Sequence, residues 1–278
     1  MKQINMGDFA IGNNRGFVLI AGPCVLENEE AAMDIALYLQ KLTTRLKIPY
    51  IFKASYDKAN RTSINSYRGP GVKEGLAILQ SIKEKLGVPI LSDVHRFEEI
   101  APAAQVLDIM QVPAFLCRQT DFVVEMAKKA KVINVKKGQF LAPGDVANII
   151  AKAQSAGNDN IIITERGTSF GYNNLVFDVR ALPIIRDMGY PVIFDATHAV
   201  QLPGGAGTAS GGQRAMVEYL ARAAVAAGVD GIFLEVHRNP EMALCDGANS
   251  LYLDSLEELL TTLKQIDELV KGKYHNKG

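Results

Sequence analysis

Residues 50–71 read YIFKASYDKANRTSINSYRGPG. Tyr50, Ile51 and Phe52 form the unbroken apolar end of a strand buried on both faces. Lys53 follows at once, then Lys58, Asn60, Arg61 and Arg68, before the turn residues Gly69, Pro70 and Gly71. An apolar strand that opens into clustered cations and amides reads as the wall of an anion site. A solvated basic loop is the blander reading of the same residues.

Working outward, the unit repeats. Residues 17–21 (FVLIA) are another continuous apolar run, ended by Gly22, Pro23 and Cys24. Between the two runs, Ala32, Ile35, Ala36, Leu39, Leu42 and Leu46 recur at helical spacing. Further strand candidates lie at 89–92, 106–110, 132–135, 160–164, 191–194 and 231–235. Helical stretches fall at 72–86, 97–104, 121–129, 144–154, 179–188, 213–227 and 255–270. Strands alternating with helices give a parallel sheet. Eight of them predict an α/β fold closed as a (β/α)₈ TIM barrel, with an open doubly wound sheet as the alternative. Residues 4–12 alternate weakly around Gly7 and Gly12 and predict a short N-terminal β-hairpin.

The size agrees. The 278 residues suit one such barrel, and no linker or low-complexity tract interrupts them, so residues 1–278 are expected to form a single domain. A hydrophobic content of 48% supplies a large core. Net formal charge is zero, which argues against a non-specific nucleic-acid partner and makes any cation cluster a local feature. Three cysteines, Cys24, Cys117 and Cys245, form no disulfide framework and suggest a reducing compartment. The opening MKQINMGDFAIGNN has no apolar leader segment, and the run at 17–20 is too short to cross a membrane.

Polar residues cluster at the strand ends. Cys24 follows the first strand and Lys53 ends the second. Asp93 and His95 follow the third, and Gln111 the fourth. Lys136 ends the fifth; Glu165 and Arg166 follow the sixth, Asp195 and His198 the seventh, and Glu235 ends the eighth. In a closed barrel all of these share the C-terminal face, where active sites sit.

Two constellations follow. Lys53, Lys58, Arg61, Arg118, Lys136 and Arg166 suit a substrate, or a pair of substrates, carrying several negative groups. Lys137 alternates with Lys136 and is expected to face outward. Lys136 also fits a Schiff-base lysine. Cys24, His198, Glu235 and Asp246 form a mixed sulfur, nitrogen and oxygen set suited to a divalent ion such as Zn²⁺ or Fe²⁺. The plain alternative makes Cys24 a small buried hydrophobe. Ser210-Gly211-Gly212 before a helix reads as a phosphate site or an N-cap, and residues 204–207 as a mobile loop. Cys117 reads as structural, and His237 and Cys245 have no partner by spacing.

The stretches FKASYDKANRTSINSYRGPG, SDVH, QVPAFLCRQTD, INVKKGQF, ERGTSFGYNNLVFD, FDATHAVQLPGG and CDGANS together resemble the 3-deoxy-D-manno-octulosonate 8-phosphate synthases over nearly the whole chain. KANRTS separates the chain from the related enzymes that make the seven-carbon shikimate precursor. The resemblance implies condensation of phosphoenolpyruvate with D-arabinose 5-phosphate in a cytoplasmic homotetramer, for lipopolysaccharide synthesis. It implies that Lys53, Lys58, Lys136 and Arg166, with Gln111 and Ala114, hold phosphoenolpyruvate. Asn60, Arg61 and Thr62 would hold the sugar phosphate, aided by Arg118 of a neighbouring subunit. Asp93, His95, Phe115 and His198 would line the reacting centre, with Glu235, Asp246 or His198 moving protons. Cysteine at position 24 resembles the metal-dependent class, with Zn²⁺, Fe²⁺ or Mn²⁺ as the implied cofactor, whereas Cys245-Asp246-Gly247 resembles the metal-independent one. The rival readings are a Schiff-base aldolase using Lys136 or Lys53 and a non-catalytic sugar-phosphate-binding barrel.

Overall fold

The computed structural model describes residues 1–205 and 211–275. Eight parallel strands alternate with eight helices. The strands are β1 (Val18–Gly22), β2 (Tyr50–Lys53), β3 (Ile90–Asp93), β4 (Ile109–Val112), β5 (Val132–Lys136), β6 (Ile161–Glu165), β7 (Val192–Asp195) and β8 (Gly231–His237). The helices are α1 (Glu29–Leu46), α2 (Val72–Leu86), α3 (Phe97–Val106), α4 (Thr120–Lys129), α5 (Val146–Ser155), α6 (Ala181–Arg186), α7 (Val217–Ala226) and α8 (Leu256–His275). Each strand pairs with the next, and β8 pairs with both β7 and β1, so the sheet closes. The barrel, not the open sheet, is the fold.

Both faces of the strands are covered, which is why they read as continuous apolar runs. On the outside, residues such as Leu19, Phe52 and Ile133 pack against the helices. On the inside, Val18, Ile20, Ile51, Leu91, Ile109, Ile162, Ile193 and Phe233 fill the lumen. The expected hairpin is present: Gln3–Asn5 pairs antiparallel with Ala10–Gly12. Its Ile4 and Ile11 pack on the lumen cluster and seal the N-terminal end of the barrel. Chemistry is thereby confined to the opposite rim.

Local signals set the helix ends. The Asn28 side chain accepts from the Ala31 N–H at 2.8 Å, capping α1, and Glu29 and Glu30 complement its dipole. Gly87 ends α2 in the left-handed region, at φ 66°.

The strands differ from expectation in one systematic way. Several begin and end later than the apolar run suggests, as in Ile90–Asp93 against 89–92 and Ile109–Val112 against 106–110. Pro89 has no N–H for the ladder, and Val106 is the last residue of α3. Asp93, Gln111, Glu165 and Asp195 are therefore strand residues held by the ladder, not loop residues beyond it. Helix α6 is shorter than the expected 179–188, and α7 is preceded by a 3₁₀ turn, Arg214–Met216. Lys137 corrects a second expectation. It points away from the lumen but is wholly buried, donating to the carbonyls of Gly138 and Leu141 and to Thr168 Oγ1. Ser210, Ala206 and Gly207 lie outside the described residues. No described helix is long and apolar enough to cross a membrane.

Candidate active site

A cavity of about 240 Å³ opens at the C-terminal rim. Lys53, Lys58, Asn60, Arg61, Thr62 and Asp93 line one side. His95, Gln111, Ala114, Phe115, Lys136, Arg166, His198 and Asp246 line the rest. Cys24 and Glu235 sit directly beneath this wall: Cys24 Sγ is 3.5 Å from Asp246 Oδ2, and Glu235 Oε1 is 3.4 Å from His198 Nε2. Arg118 does not line the cavity of its own chain; it is exposed, and its carbonyl accepts from Lys152.

The loop after β2 is braced before it reaches the pocket. Arg68 turns away from the cavity and donates through Nε and Nη2 to Asp57, while Lys58 N–H donates to the Arg68 carbonyl at 2.8 Å. This brace aims Lys58, Asn60 and Arg61 inward. The Asp57 carbonyl also meets His95 Nε2 at 3.0 Å.

Charges are paired in depth and free at the surface of the cavity. Lys53 Nζ donates to Glu235 Oε1 at 3.0 Å and to the Cys24 carbonyl at 3.1 Å. Lys58 Nζ stands 3.7 Å from the same Glu235 oxygen. Burial opposes the negative charge of Glu235, but His198, Lys53, Lys58 and Lys136 outweigh it and hold the carboxyl well below its usual range. Asp93 is likewise held low against its burial, by Lys53, Lys58, His95 and Lys136. Burial pushes Lys136 and Arg166 below their usual values. Lys136 Nζ also lies 3.8 Å from the centre of the Phe233 ring.

Several buried side-chain atoms among the described residues have no hydrogen-bond partner, and three of them bear on the charges of this site. Arg61 Nε and Arg166 Nη1 are donors without acceptors, and Glu235 Oε2 is an acceptor without a donor. Unpaired buried polar groups are costly, so this pattern calls for an anion against the arginines and a cation or proton at the glutamate.

Asp195 organises the centre. Its Oδ2 accepts from Lys136 Nζ and lies 2.7 Å from His198 Nδ1. Its Oδ1 accepts from the His198 N–H at 2.9 Å and from Thr197 Oγ1 at 3.1 Å. His198 is thus held with Nε2 facing Glu235 and Asp246, the latter at 3.8 Å. Metal-binding histidines are oriented in this way by a carboxylate on the other ring nitrogen.

The four expected metal ligands fall into two overlapping groups, one of which also takes in Cys245, which was not expected there. His198, Glu235 and Asp246 offer ligand atoms within 4.8 Å of one another, and so do Cys24, Cys245 and Asp246. Asp246 joins them. The donors and the unpartnered Glu235 oxygen fit a borderline divalent ion. Burial, then the neighbouring Cys245, pushes the Cys24 thiol well above its usual value, which favours the thiol until a cation displaces its proton.

Residues that sequence reasoning missed also shape the pocket. Gln201 bridges Arg166 Nη2 at 2.6 Å and Asp246 at 3.1 Å. Cys245 lines the cavity against Arg61 Nη1. Gln201 lies three residues past His198 and Cys245 adjoins Asp246, so proximity to expected site residues was the available signal.

Known proteins match this chain over nearly its whole length. The sequence profile of the DAHP synthetase I family matches residues 1–272. A protein of Geotalea uraniireducens is 64% identical over 271 residues, covering 98% of this chain and 100% of its own length. One from Geotalea daltonii is 63% identical over 271 residues, with the same coverage. One from Geobacter sulfurreducens is 60% identical over 270 residues, covering 97% of this chain and 99% of its own. All three are named 2-dehydro-3-deoxyphosphooctonate aldolase.

Proposed function

The chain belongs to the DAHP synthetase I family, and from that premise we propose that it condenses phosphoenolpyruvate, D-arabinose 5-phosphate and water. The products are 3-deoxy-D-manno-octulosonate 8-phosphate, which is 2-dehydro-3-deoxyphosphooctonate, and inorganic phosphate. The observation that carries this reading is the pair of unsatisfied buried arginine donors in a cavity walled by lysines. Such a wall neutralises phosphate and carboxylate groups and fixes two anionic substrates against each other, a positioning effect.

In this reading Lys53, Lys58, Lys136 and Arg166, with Gln111 and Ala114, hold phosphoenolpyruvate. Asn60, Arg61 and Thr62 hold the sugar phosphate, and Asp93, His95 and Phe115 flank the reacting carbons. The enol C3 bonds to the sugar aldehyde carbon, whose oxygen takes a proton. Water adds at C2, and the resulting hemiketal phosphate expels phosphate to leave the C2 ketone. His198, aimed by Asp195, gives or takes a proton at Nε2, with Glu235 and Asp246 as the adjoining carriers. Cys24, His198, Glu235 and Asp246 would hold a divalent ion such as Zn²⁺, Fe²⁺ or Mn²⁺, placing the chain in the metal-dependent class; the ion would supply Lewis-acid polarisation of the aldehyde or of the attacking water.

The pathway served is lipopolysaccharide synthesis. The setting is the cytoplasm, which suits three free cysteines. The assembly is a homotetramer in which Arg118 reaches a neighbour's site. The test is phosphate release from phosphoenolpyruvate that requires arabinose 5-phosphate. No release with or without added divalent metal would end the proposal.

The lowered basicity of Lys136 keeps a Schiff-base aldolase as the second reading. Borohydride reduction in the presence of substrate decides it. Covalent trapping on Lys136 would favour the aldolase, and the condensation above forms no imine.

A further inference from the structure

We propose that Cys245 is a second sulfur ligand, making the centre a two-thiolate site selective for a thiophilic divalent cation of the Zn²⁺ type. The inference rests on the reading that Cys24 and Asp246 hold a cation, and it adds a donor that sequence spacing left without a partner.

Geometry comes first. The ligand atoms of Cys24, Cys245 and Asp246 all lie within 4.8 Å of one another. Two ligands about 2.3 Å from one ion stand at most about 4.6 Å apart, so the trio needs little adjustment to close on a common point. Asp246 belongs equally to the His198 and Glu235 group, so a cation drawn to either group meets the other. Glu235 Oε2 remains a buried acceptor without a donor beside it.

Surroundings come second. A structural cysteine behaves as a small hydrophobe among hydrophobes, and Cys117 does so inside the main core. Cys245 is equally buried, but its sulfur meets Arg61 Nη1 at 2.5 Å and lies in the cavity wall next to Asp246. Its apolar company is a small satellite cluster of Cys24, Val25 and Tyr67.

Selectivity follows from donor softness. Carboxylate and imidazole alone admit Mn²⁺ and Mg²⁺ readily, whereas two thiolates shift preference to Zn²⁺ and Co²⁺. Each thiol passes its proton to solvent as its sulfur–metal bond forms.

The experiment uses the full chain, kept reduced and with its thiols counted before loading. In the Zn²⁺-loaded wild-type protein, X-ray absorption at the zinc edge should find two sulfur scatterers near ~2.3 Å. In the Co²⁺-loaded protein, the near-ultraviolet sulfur-to-metal band should fall by half in Cys245→Ser. It should vanish in the double variant with Cys24→Ser and stay at full strength in Cys117→Ser. One sulfur scatterer in the wild type overturns the proposal without any variant having to fold. A band that Cys245→Ser leaves unchanged overturns it as well. A wild-type chain that takes up neither metal overturns it together with the metal reading. None of these readouts depends on turnover, so the condensation stands or falls separately on phosphate release.

Discussion

Asp195 shows how much one buried carboxylate decides. Burial opposes its charge, but His198 and Lys136 outweigh that cost and hold the carboxyl well below its usual range. A carboxyl whose native pKa is depressed adds stability that is complete above its unfolded value, ~3.9, and fades as pH falls toward the native one. Asp93 and Glu235 act in the same direction. Denaturant titrations of the metal-free protein should therefore show stability falling steeply below about pH 4, and Asp195→Asn should make that acid limb shallower. The same variant frees the His198 ring, so kcat and metal affinity should drop roughly 10–100-fold at pH 7, measured by phosphate release and chelator competition. Glu165 has the opposite sign. Burial raises its pKa, so its contribution is full below the unfolded value and is lost as pH rises through the native one. Lys53 tests the cost of an unmatched charge. Lys53→Met would leave Glu235 Oε1 with only the longer contacts to His198 Nε2 at 3.4 Å and Lys58 Nζ at 3.7 Å and should cost about 3–5 kcal/mol, read as a lower denaturation midpoint.

Strands set these residues in register, and hydrogen bonds then run between neighbouring strand ends. Thr164 Oγ1 donates to Asn134 Oδ1 at 2.8 Å, Asn134 Nδ2 donates to Gln111 Oε1 at 2.8 Å, and Gln111 Nε2 donates to Asp93. Ser55 Oγ closes the series on the other Asp93 oxygen at 2.5 Å. This chain fixes which end of the Gln111 amide faces Asp93. Asn134→Asp keeps the acceptor for Thr164 and removes the donor to Gln111. The KM for phosphoenolpyruvate should rise roughly 10-fold, about 1.4 kcal/mol, with a smaller change in kcat. An unchanged KM would make the chain purely structural. At the β1 end, a Cβ on Gly22 would collide with the Lys53 carbonyl, so Gly22→Ala should break the β1–β2 contact and lower Tm by several degrees. Apolar runs and helical periodicity made all eight strands and helices legible, because doubly covered strands leave an unmistakable pattern. Their last residues were less legible: proline's missing N–H and the reach of α3 to Val106 depend on the ladder, not on hydropathy. Lys137 was misread because alternation tells which side of the sheet a residue leaves, not whether loops bury it there. Adjacency to Asp246 was the only local signal for Cys245, since its partners Arg61 and Cys24 are 184 and 221 positions away in the chain.

At the scale of the molecule, the unexplained residue is Arg118. It lies just past β4, exposed and outside its own cavity, while the other substrate-contacting candidates line theirs. Around the same rim the chain exposes large apolar side chains. Phe115 is 55% exposed, Phe170 69% and Tyr172 98%. Exposed aromatics in rim loops, on a chain that also exposes an unused arginine, suit contact with another copy of the chain. If each site borrows Arg118 from a neighbour, it needs Lys136 from one subunit and Arg118 from the next. Arg118→Ala and Lys136→Ala should each depress activity when alone. Mixed, dissociated and reassembled, they should recover part of it, because some sites then combine an intact Lys136 with an intact Arg118. Sedimentation of the mixture should show the same particle size as the wild-type chain. Recovery above the sum of the separate activities requires shared sites. A mixture no more active than its parts, at unchanged particle size, would confine Arg118 to its own subunit and remove it from the neighbouring pocket.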